Sequence, residues 1–476
     1  MRPLAGQRVT VMGLGRFGGG LGVARWLHAQ GARVLVTDLA DEATLADALA
    51  GLPGGVKLRL GGHEERDFTH ADLVVANPAV PRPWDNPFLA AAARAGVPIT
   101  TEIQLALARV PDRTRVVGVT GTAGKSTTCA MIARALRAAS QRVHLGGNIG
   151  GSLLEATIQP QDLVVVELSS FMLHWLGQEA FSPGTAVLTN LSPNHLDWHG
   201  SLAHYEQSKR RIAAHQHAGD VLIADRWPEL TVATRVPLAE PPERLALPGA
   251  HNRQNAACAL TAALATLDRL GIVHQRQALA DAVAGFAGLP HRLEHLGERA
   301  GVAFYNDSKS TTPQATVHAV GALAERYDPA TIHLIAGGAD KGADLTPIAA
   351  LACELGGVHT IGTTGPTIAR IAHDLGGRAW HHGTLQAALD GALGRCPPGR
   401  AVLLSPGCAS WDQFPNYEAR GRRFAELVAR WSPRPPDRPG PGGASAAAPE
   451  RAPGDGPDGG PDADCARPAG RVQRAR

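Results

Sequence analysis

Val116-Val117-Gly118-Val119-Thr120-Gly121-Thr122-Ala123-Gly124-Lys125-Ser126-Thr127 is the stretch that decides the architecture. A β-rich run, Arg115–Thr120, breaks at a turn of small residues and enters an amphipathic helical segment, Lys125–Ala138. Small residues let successive backbone N–H groups wrap a polyphosphate, and the helix N-terminus adds partial positive charge. Lys125 can then reach the terminal phosphates and Ser126 can ligate Mg²⁺. Gly118 stands one residue too far from Gly124 for G-x-x-x-x-G-K-[ST], so this is the shorter T-G-T-x-G-K-[ST] form. A Gly-rich turn without a ligand is the bland alternative, and the Lys-Ser pair argues against it.

The same alternation continues outward. Candidate strands are Arg8–Met12, Arg33–Thr37, Asp72–Ala76, Asp162–Leu168, Thr185–Asn190, Val221–Ala224, Ile332–Ala336, Thr360–Ile361 with its neighbours, and Ala401–Ser405, with helices such as His251–Leu270 between them. This is an α/β chain with mostly parallel sheets. Two nucleotide-binding units stand in tandem, and a third opens after Leu289-Pro290-His291-Arg292. The length of 476 residues agrees with about three domains. The last segment, 432–476, is Pro, Gly, Ala, Asp and Arg with almost no large apolar residue, and is expected to be a disordered tail.

Composition narrows the function classes. A net charge of +3 gives no argument for nucleic acid or a membrane surface as partner. No apolar run is long enough to span a bilayer, and Met1–Val9 lacks the apolar core of a secretory signal. The six cysteines are scattered without C-x-x-C, so a reducing cytoplasm is the expected setting. Only five of the 46 basic residues are lysines: Lys57, Lys125, Lys209, Lys309 and Lys341. In so arginine-rich a chain, surviving lysines mark places where a compact ammonium, or an amine able to become neutral, is needed. Four of the five fall in motifs.

Those motifs follow strand ends. Glu167, in Asp162-Leu-Val-Val-Val-Glu167-Leu-Ser-Ser-Phe171, ends a buried strand downstream of the phosphate loop and suits a Mg²⁺ ligand. His195, in Asn194-His195-Leu-Asp-Trp-His199, lies past another strand end, with Lys209 fourteen residues on. A packed or surface histidine and a solvated basic helix face are their plain alternatives. In His251-Asn252-Arg253-Gln254-Asn255, amides can donate to and accept from a nucleobase edge, or simply cap a helix. His291-Arg292, Asn306-Asp307-Ser308-Lys309-Ser310-Thr311, Gly338-Ala339-Asp340-Lys341-Gly342 and Ser405-Pro-Gly-Cys-Ala-Ser410-Trp-Asp-Gln-Phe414 each sit at a sheet edge, where cations and hydroxyls can receive a carboxylate-bearing substrate. Gly13-Leu-Gly15-Arg16-Phe17-Gly18, with Asp38 twenty residues beyond, is a dinucleotide fingerprint and raises a rival reading, an NAD-linked oxidoreductase. The second, separate phosphate loop is unexplained by a simple dehydrogenase.

In order along the chain, T-G-T-x-G-K-S-T, Gly147-Asn148-Ile149-Gly150, Glu-Leu-Ser-Ser-Phe, His-Leu-Asp-x-His, His-Asn-x-x-Asn, Leu-Pro-His-Arg, Asn-Asp-Ser-Lys and Ser-Pro-x-x-Ala-Ser-x-Asp-Gln-Phe resemble the Mur ligases, over roughly residues 5–430. Within that family the pattern is most similar to the D-glutamate-adding branch. The resemblance implies a Rossmann-like N-terminal domain binding the UDP end of the substrate (1–108), a central P-loop ATPase-type parallel-sheet domain (109–290) and a Rossmann-like C-terminal domain bringing the amino acid (291–431). It implies ATP-dependent addition of D-glutamate to UDP-N-acetylmuramoyl-L-alanine through an acyl phosphate, by a cytoplasmic monomer in peptidoglycan precursor synthesis. A related ligase taking another amino acid is the nearest alternative. By the same resemblance, Gly121–Thr127, Asn255, Arg292 and Asp307 contact ATP. Ser126, Glu167, His195 and a carbamylated Lys209 hold two Mg²⁺ ions. Lys125, His195, Lys209 and Lys309 are catalytic, Arg16, Phe17, Asp38 and Asn148 face the UDP substrate, and Thr311, Lys341, Ser410 and Tyr417 surround D-glutamate. Departures from the family pattern are Ala123 in the loop, Ser310 and Thr312 around Thr311, Met172 and His174, and Asn77-Pro78-Ala79.

Overall fold

The computed structural model describes residues 3–14, 19–149, 152–224, 233–247, 249–340, 342–396 and 399–431. Gly15, Arg16, Phe17, Gly18, Gly150, Lys341 and the tail from Ser432 lie outside the described residues.

Three sheets organise the chain. The first holds β1 (Arg8–Met12), β2 (Arg33–Asp38), β3 (Lys57–Leu60), β4 (Leu73–Ala76) and β5 (Ile99–Thr100), all parallel, in the order β3-β2-β1-β4-β5. The second holds β6 (Val116–Thr120), β7 (Val143–Gly147), β8 (Leu163–Glu167), β9 (Thr185–Leu188), β10 (Val221–Ala224) and β11 (Thr234–Arg235), also parallel, in the order β11-β10-β9-β6-β8-β7. The third holds β12 (Glu294–Arg299), β13 (Val302–Asn306), β14 (Ile332–Gly337), β15 (Gly357–Ile361), β16 (Ala379–Gly383) and β17 (Arg400–Leu404), in the order β12-β13-β17-β14-β15-β16. It is mixed, because β12 pairs antiparallel with β13. Continuous apolar runs such as Leu163-Val-Val-Val are what a strand covered on both faces requires. In open sheets of this kind, ligands sit beyond the carboxyl ends of the strands, where the strand order reverses.

Packing joins the first two sheets and separates the third. One apolar cluster runs unbroken from Val9, Val36 and Leu27 to Leu153, Val164 and Leu176. On the other face of the second sheet, Met131, Ile132 and Leu136 of the phosphate-loop helix (Lys125–Ala138) meet Leu260 and Leu267 of the long helix Ala250–Arg269. The clusters of the third sheet contain only residues from Leu293 onward.

Strand expectations hold within a residue or two. Thr185–Asn190 is shorter in the structure, ending at Leu188, because Thr189 and Asn190 turn away to bond the phosphate loop. Arg115 belongs to a 3₁₀ turn rather than to β6. The sequence reading passes over β3, β5, β7, β11, β12, β13 and β16.

On β14, β15 and β16 three imidazoles form a chain. His333 Nδ1 lies 3.2 Å from His359 Nε2, and His359 Nδ1 lies 3.1 Å from His382 Nε2. His333 Nε2 is buried without a partner. A neutral imidazole has one N–H, so donation from Nδ1 at every ring leaves that buried nitrogen a bare acceptor rather than a stranded donor. Burial, with Arg400, Arg378 and Arg395 around His333 and with His333, His382 and Arg395 around His359, pushes the two pKa values down to about 4 and about 3. A depressed histidine pKa favours folding above the ordinary value of 6.5, and that stability is lost as the pH falls toward 4. Nitrogen-15 spectra of histidine-labelled protein at pH 5 should show His333 and His359 neutral and Nδ1-protonated. Charged rings for this pair in the folded protein would contradict the chain.

Candidate active site

The phosphate loop is set by close approach. Gly121 has φ +151° and Gly124 has φ +81°; a Cβ on the first would run into Thr189 Oγ1, and on the second into Asn255 Oδ1. The loop is also held from β9: Asn190 Oδ1 accepts from the Ala123 N–H at 2.9 Å, and Thr189 Oγ1 donates to the Ala123 carbonyl at 2.6 Å. These are backbone contacts and Ala123 is exposed, so the departure at this position leaves the loop's shape intact. Thr122 Oγ1 lies 2.8 Å from the Tyr205 hydroxyl.

Behind the loop lies one buried carboxylate. Glu167 ends β8 and is 1% exposed. Ser126 Oγ donates to its Oε2 at 2.6 Å, and Asn148 Nδ2 donates to its Oε1 at 2.8 Å. Arg292 Nη2 donates to Ser126 Oγ at 2.9 Å, bringing in the segment that leads to the third sheet. Lys125 Nζ donates to the Gly121 and Thr122 carbonyls, both at 3.0 Å. Burial lowers its pKa, Glu167 opposes that, and Arg292 adds to it. Lys209 is 2% exposed, lies over the Tyr205 ring, and donates to the Gly121 carbonyl at 2.8 Å. Burial, then Lys125, pull its pKa down to about 7. His195 takes a left-handed conformation, φ +52°, with its ring edge-on to Phe171 at 5.0 Å. Burial lowers its pKa, against Asp197.

A cavity of about 820 Å³ opens from this cluster between the second and third sheets. Gly124, Thr127 and Asn255 line it on one side, and Arg292, Asp307 and Lys309 on the other. Asp307 accepts from the Leu293 N–H at 3.0 Å and the Ser405 hydroxyl at 2.7 Å, and also from Ser310. Burial outweighs these bonds and lifts its pKa to about 6. Lys309 Nζ donates to the Tyr417 hydroxyl at 2.8 Å and lies over that ring; burial and Arg292 lower its pKa to about 8. Lysine and arginine side chains thus outnumber the two buried carboxylates, Glu167 and Asp307, an arrangement that suits a polyanionic ligand.

The donor set fits a hard cation. Among the described residues, no three His, Cys, Asp or Glu side chains form a metal-holding group. Ser126 Oγ and Glu167 Oε2 are oxygens of the kind that could hold Mg²⁺, with water and phosphate completing its shell.

Most residues singled out from sequence thus fall in two touching places, the Glu167 cluster and the cavity. Asp38 stands apart at the end of β2, accepting from the Leu14 and Ala40 N–H groups, both at 2.9 Å. Beside it Asn77 bonds the Gly13 carbonyl and so ties the ends of β1 and β4. Asn148, assigned by resemblance to the UDP substrate, donates to Glu167 Oε1 at 2.8 Å. Thr311 is half-buried two residues past Lys309, and Ser410 is buried beside Ala409, which bonds Ala339. One residue that shapes the site escaped the sequence reading. Arg420, 1% exposed, donates to the Ser308 carbonyl and hydroxyl and to the Cys408 and Ala409 carbonyls, clamping the two loops that carry Lys309 and Ser410. Among 41 arginines nothing marked it.

Fold and site together define a nucleotide-binding α/β protein with a phosphate loop facing a cation-rich cavity. The chain belongs to the Mur ligase family. Three family descriptions match in turn: the MurD-like N-terminal domain over residues 7–101, the Mur ligase middle domain over 119–235 and the glutamate ligase domain over 291–408. The chain is 38% identical to the UDP-N-acetylmuramoylalanine–D-glutamate ligase of Anaeromyxobacter dehalogenans, covering 89% of this chain and 98% of that one. It is 38% identical to the protein of the same name from Geobacter metallireducens, with the same coverage. Among solved structures, it shares the fold of the UDP-N-acetylmuramate-alanine ligase MurC of Thermotoga maritima (TM-score 0.57, 22% identity, 89% of this chain and 99% of that one). It also shares the fold of MurF from Acinetobacter baumannii (TM-score 0.51, 16% identity, 89% and 92%).

Asn148→Ala would leave Glu167 Oε1 without its donor. Losing such a support typically costs about 10- to 100-fold in metal affinity or activity, so the Mg²⁺ concentration for half-maximal turnover should rise by about that factor. An unchanged Mg²⁺ dependence would show that Asn148 does not orient the carboxylate.

Proposed function

We propose that this chain joins D-glutamate to UDP-N-acetylmuramoyl-L-alanine at the expense of ATP, forming an amide bond in peptidoglycan precursor synthesis. The observation that carries the reading is the buried Glu167–Ser126–Arg292 cluster, which opens into the cavity between the second and third sheets. The names of the relatives supply the substrates.

A carboxylate acylates an amine poorly until it has a leaving group. ATP would phosphorylate the substrate carboxylate. With ADP released in that step, the D-glutamate amine would attack the acyl phosphate and lose a proton, and the tetrahedral intermediate would expel phosphate to leave the amide. The first step brings two anions together, and Lys125 with the neighbouring cations offsets that repulsion. Two Mg²⁺ ions, held through Ser126 and Glu167 and through His195 with a carbamylated Lys209, would add charge neutralisation at the transferred phosphoryl group. Lys209 suits carbamylation: its amine is buried and its pKa is depressed to about 7, so a neutral, CO₂-reactive fraction exists near pH 7. Arginine has no such neutral form. Asn255, Arg292 and Asp307 would contact ATP, and Lys309, Thr311, Lys341, Ser410 and Tyr417 would lie around the amino acid and the transferred phosphate. Arg16, Phe17, Asp38 and Asn148 would face the UDP end. On this reading residues 1–108, 109–290 and 291–431 divide the labour as UDP-substrate, ATP and amino-acid domains, and the enzyme works as a cytoplasmic monomer. No described helix is long and apolar enough to cross a membrane.

Phosphate release from ATP with UDP-N-acetylmuramoyl-L-alanine and Mg²⁺ should require D-glutamate and yield the mass of the new amide. Release only with L-lysine, meso-diaminopimelate or L-glutamate would keep the chemistry and overturn the amino acid. Lys209→Arg should lose at least about 100-fold in kcat although the charge is kept, a larger effect than loss of a single hydrogen bond explains. Wild-type turnover in that variant would refute the carbamate.

A further inference from the structure

The long helix Ala250–Arg269 begins with the residues that line the cavity: His251, Asn252 and Asn255. It starts without a cap of its own. Its N-cap position is Gly249, φ +110°, and no side chain there accepts a hydrogen bond. A capping Ser, Asn or Asp would not fit, because a Cβ on Gly249 would stand 2.8 Å from the His251 ring and 3.2 Å from Ala322 Cβ.

The acceptor comes from the third sheet's side. Glu325 Oε1 accepts from the Ala250 N–H at 2.9 Å. The adjacent Arg326 Nη2 donates to the Leu245 and Ala246 carbonyls at 3.1 and 3.2 Å. Both residues follow the end of helix Pro313–Ala324, whose Ala315 and His318 face the same cavity. Glu325 thus places a carboxylate at the positive end of one helix while Arg326 ties the chain just before it. Two walls of the cavity, one from each side, are bolted together at one corner, away from Lys125 and Ser126.

We infer that Glu325 and Arg326 are positioning residues for the nucleotide. They fix the first turn of the helix carrying His251, Asn252 and Asn255 and set its distance from Ala315 and His318, and so govern nucleotide affinity without touching the phosphate loop. The inference rests on the proposed reading of the cavity as the nucleotide pocket.

Full-length protein is titrated with ADP and Mg²⁺ by calorimetry, and KM for ATP is measured in the ligase assay. Glu325→Ala and Arg326→Ala should each weaken ADP binding about three- to tenfold and raise KM for ATP alike, with kcat and the other KM values within about twofold, as expected for a lost cap that acts only on binding. Glu325→Gln, whose amide carbonyl can still accept from the Ala250 N–H, should recover at least half of the loss, and it decides the matter if the alanine variant folds poorly. The double variant should fall short of the product of the two single effects, since both act on one corner. Unchanged ADP affinity in both single variants would overturn the bolt, as would a fall in melting temperature without a change in ADP affinity. ADP binding does not depend on which amino acid is ligated, so a wrong D-glutamate assignment leaves this test standing. A wild-type protein that binds no ADP overturns the nucleotide reading and the bolt with it.

Discussion

A carboxylate that is 1% exposed is costly to bury unless every oxygen is answered, and Glu167 is where this chain meets that constraint. One oxygen is held by Ser126, the first turn of the phosphate-loop helix; the other is held by Asn148, just past the end of β7. Arg292 reaches the same serine from the connection to the third sheet. Three separate parts of the chain therefore converge on one charge. The lysines around it lose solvation for the same reason, and burial leads the depressed pKa of Lys125, Lys209 and Lys309 alike. A site so arranged has its charges oriented before a polyphosphate arrives, which is how electrostatic stabilisation avoids reorganisation during reaction.

The packing assigns different mechanical characters to the two joints. A shared apolar cluster runs through the first two sheets, so separating them would expose side chains that are now dry. The third sheet keeps its own core and meets the second through polar contacts: Arg292 to Ser126, Glu325 to Ala250, Arg326 to Leu245 and Ala246. Polar contacts between separately cored bodies are parted at less cost than a shared apolar core. The cavity lies at this second joint.

Much of this was legible in the chain because local rules and global fold agree. Strand, small-residue turn and helix around Gly121–Lys125 follow from propensity and spacing, and Glu167 follows from a charge at the end of an apolar run. Lysine scarcity pointed the same way: Lys125, Lys209 and Lys309 all fall in the site, while Lys57 lies on an exposed strand. What stayed hidden depends on partners far away in sequence. The edge strand Glu294–Arg299 is mostly polar, because only part of it is covered, and so carries no apolar run. β16 reads Ala-Trp-His-His-Gly, where His382 bonds His359 and Trp380 stacks on the same ring. Arg420 looks like any surface arginine on an amphipathic helix until its four acceptors from two other loops are seen. Asn148 gives no hint in sequence that its amide serves a glutamate nineteen residues on.

The most direct test of the central claim is Glu167→Gln, compared with the wild type for ADP binding with and without Mn²⁺, with bound Mn²⁺ followed by electron paramagnetic resonance. The folded variant should bind ADP about as well as the wild type without metal, but lose most of the Mn²⁺-dependent gain and its turnover. A variant that keeps both the metal-dependent gain and the turnover would show that Glu167 is not the carboxylate around which the site is built.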